Sequence, residues 1–255
     1  YGAAPNTPFC PVGLGLPGAL PTLDPDAVDL ALRAAIALEC DVHRRSVWAR
    51  KNYFYPDLPK GYQITQFEEP LATGGRVEYD GESGPAFVRL RRIHMEEDAG
   101  KSVHDRVPGR TAVDLNRAGT PLVEIVTEPD LHRPSDVRSF LGALKHVLEY
   151  ADVSDCNMEE GSLRADANVS VRRRGETALG TKTEIKNVNS FSGIEKALEL
   201  EIARQVEVLE AGGAVAGETL LWDDHRQRLR TMRTKEESHD YRYFPDPDLP
   251  TLLLS

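Results

Sequence analysis

The stretch Leu163-Arg-Ala-Asp-Ala-Asn-Val-Ser-Val-Arg172 alternates apolar and polar side chains without a break. Successive side chains of a β-strand point to opposite faces, so this pattern predicts a strand with one face in the core. Its other face carries arginine, aspartate, asparagine and serine, which are all charged or hydrogen-bonding groups. A sheet that is buried on one face and polar on the other is typical of antiparallel architecture.

Further strands and three helices are predicted along the chain. The two-residue period recurs at about 86–96, 111–116, 121–127 and 181–188. The first helix follows Asp24-Pro25-Asp26, the second runs from Ser135 to about Tyr150, and the third begins with a capping box at Ser192-x-x-Glu195 and stops at Gly212-Gly213. Together these elements predict an α+β fold with a mainly antiparallel sheet and helices on one side, in one domain over residues 1–255.

Composition narrows the classes of protein that the chain can belong to. With 255 residues, 40% of them hydrophobic, it can bury a sizeable core. Its net charge of −10 argues against a broad nucleic-acid surface, because neutralising phosphates requires clustered Lys and Arg. Cys10, Cys40 and Cys156 form no disulfide framework, which favours a reducing, cytoplasmic setting. No apolar run reaches the ~20 residues of a membrane span, so no membrane association is expected.

The polar faces of the predicted strands carry carboxylates interleaved with basic residues. Magnesium prefers hard oxygen ligands, and phosphoryl transfer needs Lys or Arg beside the metal. For any one strand, a solvated sheet face explains the pattern equally well. Several such strands together favour a magnesium–nucleotide site, and we expect its pocket to be lined by Arg164, Asp166, Asn168, Lys182 and Lys186.

The acidic segment His94-Met-Glu-Glu-Asp98 lies at the end of one predicted strand. Strand parity places His94 and Glu96 on one side and Glu97 on the other, unless the strand ends or bulges there. In the neighbouring segment 121–127, Glu124 lies on the same side as Leu122 and Val126.

Several motifs that would indicate another enzyme class are absent or lack their context. Gly13-Leu-Gly-Leu-Pro-Gly18 matches G-x-G-x-x-G, but no strand precedes it, so we interpret it as coil. The sequence has no Walker motif and no G-x-S-x-G elbow, and glutamine hydrolysis is not expected on this chain. His94, His104 and His239 do not lie near cysteines at zinc spacing, and each is interpreted as a surface or hydrogen-bonded histidine.

A family resemblance covers nearly the whole chain. Seven strings are similar, in the same order, to those of the B subunit of the aspartyl/glutamyl-tRNA amidotransferase. They are Lys51-Asn-Tyr-Phe-Tyr-Pro-Asp57, Tyr62-Gln-Ile-Thr-Gln66, His94-Met-Glu-Glu-Asp-Ala-Gly-Lys101, Asn116-Arg-Ala-Gly-Thr-Pro121, Met158-Glu-Glu-Gly-Ser-Leu-Arg164, Glu184-Ile-Lys-Asn-Val-Asn-Ser190 and Asp240-Tyr-Arg-Tyr-Phe-Pro245.

The resemblance implies an ATP-dependent, magnesium-dependent reaction. The side-chain carboxylate of Glu-tRNA(Gln) or Asp-tRNA(Asn) is phosphorylated, and ammonia from a glutaminase (A) subunit then displaces the phosphate. The implied assembly is a heterotrimer with that A subunit and a small C subunit. The implied fold is a cradle-like α+β domain similar to the catalytic domain of glutamine synthetase.

The same resemblance assigns roles to four residues. Glu97 and Glu184 match carboxylates that hold the magnesium. Lys51 and Tyr53 match residues near the pocket for the acceptor end of the tRNA, although a loop anchor would also explain them.

Departures from the family pattern leave alternatives open. The Gly-Leu-Glu-Val-His strand, whose Glu and His also reach the metal, and the helical and tail domains that hold the tRNA body are expected to lie outside this sequence. A zinc site is in doubt because Cys10-Pro-Val-Gly13 stands where many relatives have two cysteines. The alternatives are a scaffold for tRNA or partners that has lost catalysis, and a ligase that joins ammonia to a small-molecule carboxylate. Which aminoacyl-tRNA is used does not follow from the sequence.

Overall fold

The structure, a computed structural model, describes residues 3–107, 109–234 and 240–255. His239 lies outside the described residues, as does the side chain of His104. In these ranges the helices are α1 Pro25–Ala37, α2 Pro134–Tyr150 and α3 Phe191–Glu210. The strands are β1 Asp41–Val42, β2 Arg45–Ser46, β3 Trp48–Asn52, β4 Tyr62–Gln66, β5 Ala72–Thr73, β6 Arg76–Gly81, β7 Gly84–Glu97, β8 Lys101–Val107, β9 Arg110–Asp114, β10 Pro121–Thr127, β11 Ala165–Val169, β12 Thr183–Val188, β13 Glu218–Asp223, β14 Arg228–Thr234, β15 Phe244–Pro245 and β16 Leu252–Leu253.

The largest sheet is built around β7, a strand of 14 residues. Its strands follow the order β1-β5-β7-β4-β3-β15, and β6 and β10 also pair with β7. β6 pairs with the first half of β7 and β10 with the second half, and both pairings are antiparallel. A single long strand therefore aligns segments that are far apart in the sequence.

A second sheet has four strands in the order β11-β12-β13-β14. Ile185, Leu220 and Trp222 in this sheet are buried, and α3 packs against β11, β12 and β14. β12 and β13 are parallel because α3 connects them as a crossover, whereas the other pairs are antiparallel. The prediction of an α+β fold with mainly antiparallel sheets is confirmed. The similarity to glutamine synthetase and the single-domain assignment stay predictions.

The helix ends follow the sequence signals closely in α1 and less closely in α3. The Asp24 carboxylate caps α1 by accepting a hydrogen bond of 3.0 Å from the Asp26 backbone N–H. The capping box predicted at Ser192 is wrong, because Ser190 is the N-cap and its hydroxyl accepts from the Gly193 N–H at 3.0 Å. Phe191, which packs against the main core, is thereby included in the first turn.

Two hydrophobic clusters form the core. The main cluster joins α2 and α3 to both sheets, through residues such as Leu144, Ile185 and Trp222. The second lies between α1 and the largest sheet, with Trp48 and Met95 among its members. None of the helices in the described ranges has the combination of length and apolar character that crossing a bilayer requires.

A buried polar network fastens α3 to β12. Glu201, Gln205 and Thr183 are all fully buried. The Glu201 carboxylate accepts from the Thr183 hydroxyl at 2.9 Å, from the Gln205 amide at 2.8 Å and from the Arg204 guanidinium at 2.7 and 2.8 Å. Because the carboxylate is buried away from water, these hydrogen-bond donors are what stabilise its ionised form.

We expect Glu201→Gln to lower the free energy of unfolding by about 1.5–3 kcal/mol, the usual contribution of hydrogen bonds to a charged group. Glu199 lies exposed on the same helix and provides a matched control. Glu199→Gln should change the free energy of unfolding by less than about 0.5 kcal/mol. Chemical denaturation at pH 7 measures both variants, and equal effects would contradict this role of Glu201.

The same carboxylate should contribute to acid sensitivity. Burial by itself raises the pKa of Glu201, but the hydrogen bonds from Arg204, Gln205 and Thr183 outweigh it and the pKa lies below its ordinary value. A carboxylate whose pKa is lower in the folded state than in the unfolded state stabilises the fold. This contribution is fully present above the unfolded-state pKa of about 4.3, and it is lost as the pH falls through the folded-state pKa. The unfolding free energy of the wild type, measured by denaturation across the acid range, should therefore fall more steeply than that of Glu201→Gln.

Candidate functional site

The end of β7 and the facing part of β10 bring three potential ligands to one face of the largest sheet. Within β7, His94 and Glu96 share a face by strand parity, as expected from the sequence. The antiparallel register sets Glu124 of β10 directly opposite His94. Directly opposed residues of paired strands project to the same side, so the Glu124 carboxylate joins the other two side chains.

These three side chains converge closely. The His94 Nε2 atom lies 3.8 Å from Glu96 Oε2 and 3.6 Å from Glu124 Oε2. One ligand atom from each residue lies within 4.8 Å of the others, and no other such group of three His, Cys, Asp or Glu side chains occurs in the described ranges. His94 is buried while Glu124 is exposed, so the cluster opens to solvent on one side.

Arg92 fixes the orientation of the histidine. Its guanidinium donates to the backbone carbonyls of Gln66, at 2.8 Å, and of Phe67, at 2.7 Å. Its Nε donates to His94 Nδ1 at 3.2 Å. In this arrangement His94 Nδ1 is the acceptor, so the ring hydrogen belongs on Nε2 and points toward the two carboxylates.

The cluster lies in an open cleft of about 340 Å³. The Lys51 ammonium faces the rings of Tyr241, at 4.8 Å, and Tyr53, at 5.8 Å, and makes no ion pair in the part of the chain that the structure describes. A larger depression of about 490 Å³ beside β6 and α2 contains no comparable group of ligands among the described residues. Besides the three candidate ligands, the cleft with the cluster is lined by Lys51, Thr65, Phe67, Arg91, Arg92, Val126 and Tyr243.

The residues of this cleft fit a divalent cation with a phosphate-bearing ligand. Glu96 and Glu124 offer hard oxygen donors, which Mg²⁺ prefers. For His94 to join them through Nε2, its ring would have to carry the hydrogen on Nδ1, the atom that now accepts from Arg92. The two carboxylates are therefore the principal candidate ligands, and Lys51 supplies a cation that forms no ion pair with any carboxylate among the described side chains.

Glu97 lies on the other face of β7, where it is buried. Its carboxylate pairs with the ammonium of Lys60 and accepts from the Ile64 backbone N–H at 2.9 Å. The side chains of Lys60 and Glu97 are only 6% and 11% exposed, so each buried charge is stabilised by the opposite charge of its partner. The metal-binding role expected for Glu97 stays a prediction, and the contacts present here are those of a structural ion pair.

The polar face of the four-stranded sheet brings together four of the predicted site residues. The Lys186 ammonium lies 2.6 Å from Asp166 and 3.2 Å from Glu184. Asn168 is directly opposite Glu184, and the Thr219 hydroxyl donates to the Glu184 carboxylate at 3.3 Å. Burial would lower the pKa of Lys186, but the two carboxylates outweigh it and raise the pKa above its ordinary value. The contacts described for Glu184 and for Glu97 involve different partners and do not join the two carboxylates.

The remaining predicted residues have three different environments. Arg164 forms a two-point ion pair with Asp98, at 2.6 and 3.2 Å, and thereby links the end of β7 to the start of β11. Lys182 is exposed just before β12. Tyr53 donates its backbone N–H to the Gly61 carbonyl at 3.1 Å, and burial followed by the nearby Asp57 raises the pKa of its phenol.

The three residues that converge most closely are not among those selected from the sequence. There, His94 is interpreted as an ordinary histidine, and neither Glu96 nor Glu124 is chosen as a ligand. Parity within each strand is correct, but the register between β7 and β10 decides which residues meet. The strand around Glu124 and the acidic segment are both visible in the sequence, so a prediction of their pairing could have found the cluster.

We expect variants of the two adjacent glutamates to separate metal binding from stability. Glu96→Gln should weaken Mn²⁺ binding by about tenfold or more and leave the free energy of unfolding nearly unchanged. Glu97→Gln should lower the free energy of unfolding by about 3–5 kcal/mol, because it leaves the Lys60 ammonium buried without its partner. Mn²⁺ titration followed by paramagnetic resonance and chemical denaturation measure the two effects. Weaker Mn²⁺ binding in Glu97→Gln alone would instead support Glu97 as the ligand.

Comparison with known proteins shows which proteins this chain is similar to. The family described as the GatB/GatE catalytic domain matches residues 1–255. The chain is 56% identical over 255 residues to a protein of Myxococcus xanthus, 54% over 257 residues to one of Carboxydothermus hydrogenoformans and 54% over 249 residues to one of Persephonella marina. Each of the three is named as the B subunit of an aspartyl/glutamyl-tRNA(Asn/Gln) amidotransferase.

These matches cover 98–100% of this chain and 52–53% of the three relatives. The chain therefore spans about half the length of the relatives that it matches. The match over every residue, together with identities above one half, leads to one conclusion: the chain belongs to the GatB/GatE catalytic domain family.

Proposed function

We propose that this chain is the part of an amidotransferase B subunit that activates a carboxylate on aminoacyl-tRNA. The γ-phosphoryl group of ATP passes to the side-chain carboxylate of Glu-tRNA(Gln) or Asp-tRNA(Asn), which gives an acyl phosphate and ADP. Ammonia then attacks the activated carbonyl carbon, phosphate leaves, and a proton is lost from nitrogen. The products are Gln-tRNA(Gln) or Asn-tRNA(Asn) and phosphate.

The observation that supports this proposal is the convergence of His94, Glu96 and Glu124 in a cleft that also holds Lys51. Two carboxylates beside an ammonium suit a ligand that combines a divalent cation with phosphate groups. Bound Mg²⁺ would neutralise charge on the phosphate oxygens of ATP. Lys51 would bind a phosphate oxygen, and Arg92 would keep the His94 ring turned toward the carboxylates.

The second polar face supplies further groups for the same substrate. The Lys186 ammonium and the carboxylates of Asp166 and Glu184 form a compact charged set on an otherwise exposed sheet face. We propose that these residues, with Asn168 and Lys182, line the side of the pocket that receives the phosphate or the carboxylate. Arg164 would contribute mainly by holding the two sheets together through Asp98.

Ammonia, the rest of the tRNA and the remaining subunits have to come from outside this chain. We propose a heterotrimer with a glutaminase A subunit and a small C subunit, in which other domains hold the tRNA body. An acidic chain of net charge −10 agrees with limited RNA contact here. Cys10, Cys40 and Cys156 are free thiols, which is consistent with a reducing compartment such as the cytoplasm.

In the complete complex, we expect Glu96→Gln and Glu124→Gln each to lower kcat of ATP-dependent amidation of Glu-tRNA(Gln) by about 10²–10³-fold. Lys51→Met should raise KM for ATP by about tenfold, because one charge-assisted contact to phosphate is lost. Initial rates with purified Glu-tRNA(Gln) and ammonium chloride measure both effects without requiring glutamine hydrolysis.

Glu68→Gln is a suitable control, because Glu68 is an exposed carboxylate close to the cleft in sequence and does not line it. Rates unchanged in Glu96→Gln, Glu124→Gln and Lys51→Met alike would contradict the catalytic role and favour a scaffold for tRNA. ADP release with free glutamate and ammonia, independent of tRNA, would favour the small-molecule ligase instead.

A further inference from the structure

We propose that Phe67 and Tyr243 form a stacking subsite for an adenine base on the wall of the candidate cleft. This inference rests on the proposed function, because it assigns part of the same substrate to a second group of residues. The two aromatic side chains line the cleft that contains His94, Glu96 and Lys51.

The two rings lie face to face in nearly parallel planes, and one of them is partly exposed to solvent. Their planes differ by 1° and their centroids are 3.9 Å apart. The side of Tyr243 carries an edge-on contact from Tyr241, with centroids 6.0 Å apart. Phe67 is 41% exposed, although it is a large apolar residue. A flat aromatic ligand can therefore continue the stack on Phe67 and cover a surface that water now contacts.

Packing alone does not require this stack, because the segment that carries Tyr243 is held by other contacts. Phe244 and Pro245 pair with β3, and the Asn52 N–H donates to the Tyr241 carbonyl at 2.9 Å. Just beyond, the Arg50 guanidinium binds the buried carboxylate of Asp246 at 2.8 Å. Removing one ring of the stack would leave each of these contacts in place.

The chemistry of the surrounding cleft indicates which kind of flat ligand fits. Lys51 and Arg92 are cations that line the same cleft, and the carboxylate cluster suits a divalent cation. A base that carries phosphates matches the aromatic stack, the cations and the carboxylate cluster. Its ring can stack on the aromatic side chains, and its phosphates can bind the cations and a divalent metal ion. Adenine is present both in ATP and at the 3′ end of tRNA, so both substrates of the proposed reaction offer the required ring.

Phe67 also connects the stack to the cluster of His94, Glu96 and Glu124 through its backbone. Its carbonyl accepts a hydrogen bond of 2.7 Å from Arg92, which in turn binds His94. A side-chain substitution keeps that carbonyl, so it tests the ring without removing the anchor of Arg92.

The experiment uses the complete complex with Phe67→Leu, Tyr243→Leu and Phe67→Trp, and Phe244→Leu as the control. Phe244 is 44% exposed in the same segment but does not line the cleft. Calorimetric titration with ADP and with tripolyphosphate, which has no base, separates ring stacking from phosphate binding. KM is measured separately for ATP and for Glu-tRNA(Gln), and thermal unfolding shows whether each variant is folded.

If the base of ATP occupies the subsite, Phe67→Leu and Tyr243→Leu weaken ADP binding about tenfold, tripolyphosphate binds as before, and Phe67→Trp retains affinity. If the terminal adenosine of tRNA occupies it, KM for Glu-tRNA(Gln) rises by a similar factor while ADP binding is unchanged. Either result supports an adenine subsite.

Equal losses for ADP and tripolyphosphate, or effects no larger than those of Phe244→Leu, would overturn the proposal. So would a lower melting temperature with all binding constants and both KM values unchanged, because the stack would then serve packing alone. ADP and tripolyphosphate binding can be compared even in a complex that shows no amidation. Failure of the proposed function is therefore distinguishable from failure of this subsite.

Discussion

Strand β7 pairs with β10 in a register that sets His94 opposite Glu124, and the candidate site depends on this pairing. Hydrogen bonds between the strands fix which residues face each other, and the pleat then decides the side to which each carboxylate projects. A shift of β7 by one residue would exchange Glu96 with Glu97 and turn the His94 side chain away from Glu124. The buried ion pair of Glu97 and Lys60 opposes such a shift, because the shift would separate the two charges from each other.

The strands that could be predicted from the sequence are those that bury one face and expose the other. The alternation of 163–172 corresponds to β11 and its flanks, and the pattern of 86–96 lies within β7. By contrast, β3 and β4 were not predicted. In β4 four consecutive residues, Gln63–Gln66, are buried although three of them are polar, so side-chain polarity does not indicate which face is covered. A strand that is covered on both sides loses the signal on which periodicity relies.

The candidate site shows the same limit in chemical terms. Parity separates Glu97 from Glu96 in the sequence, but it does not say which of them faces the cleft. That answer requires the Lys60 side chain, which reaches Glu97 from a loop more than thirty residues earlier in the chain. It also requires the register of β10. Local pattern therefore identifies the acidic segment, and only the long-range contacts distinguish a candidate ligand from a buried ion pair.

Contacts across nearly the whole chain close the largest sheet. Phe244 pairs with Arg50 at the edge of that sheet, and Asp246 binds the Arg50 side chain. Leu252 pairs with Ser46 in a separate sheet of two strands, β16 and β2. A chain made from its N-terminus on the ribosome cannot form these contacts until about two hundred further residues have been added. Until then, strand β3 has an unpaired edge on the side that β15 later occupies, and chains with unpaired strand edges are prone to aggregate. Tyr243 arrives with this last segment, so the cleft beside β7 acquires its full wall only after that late stretch of the chain has been synthesised.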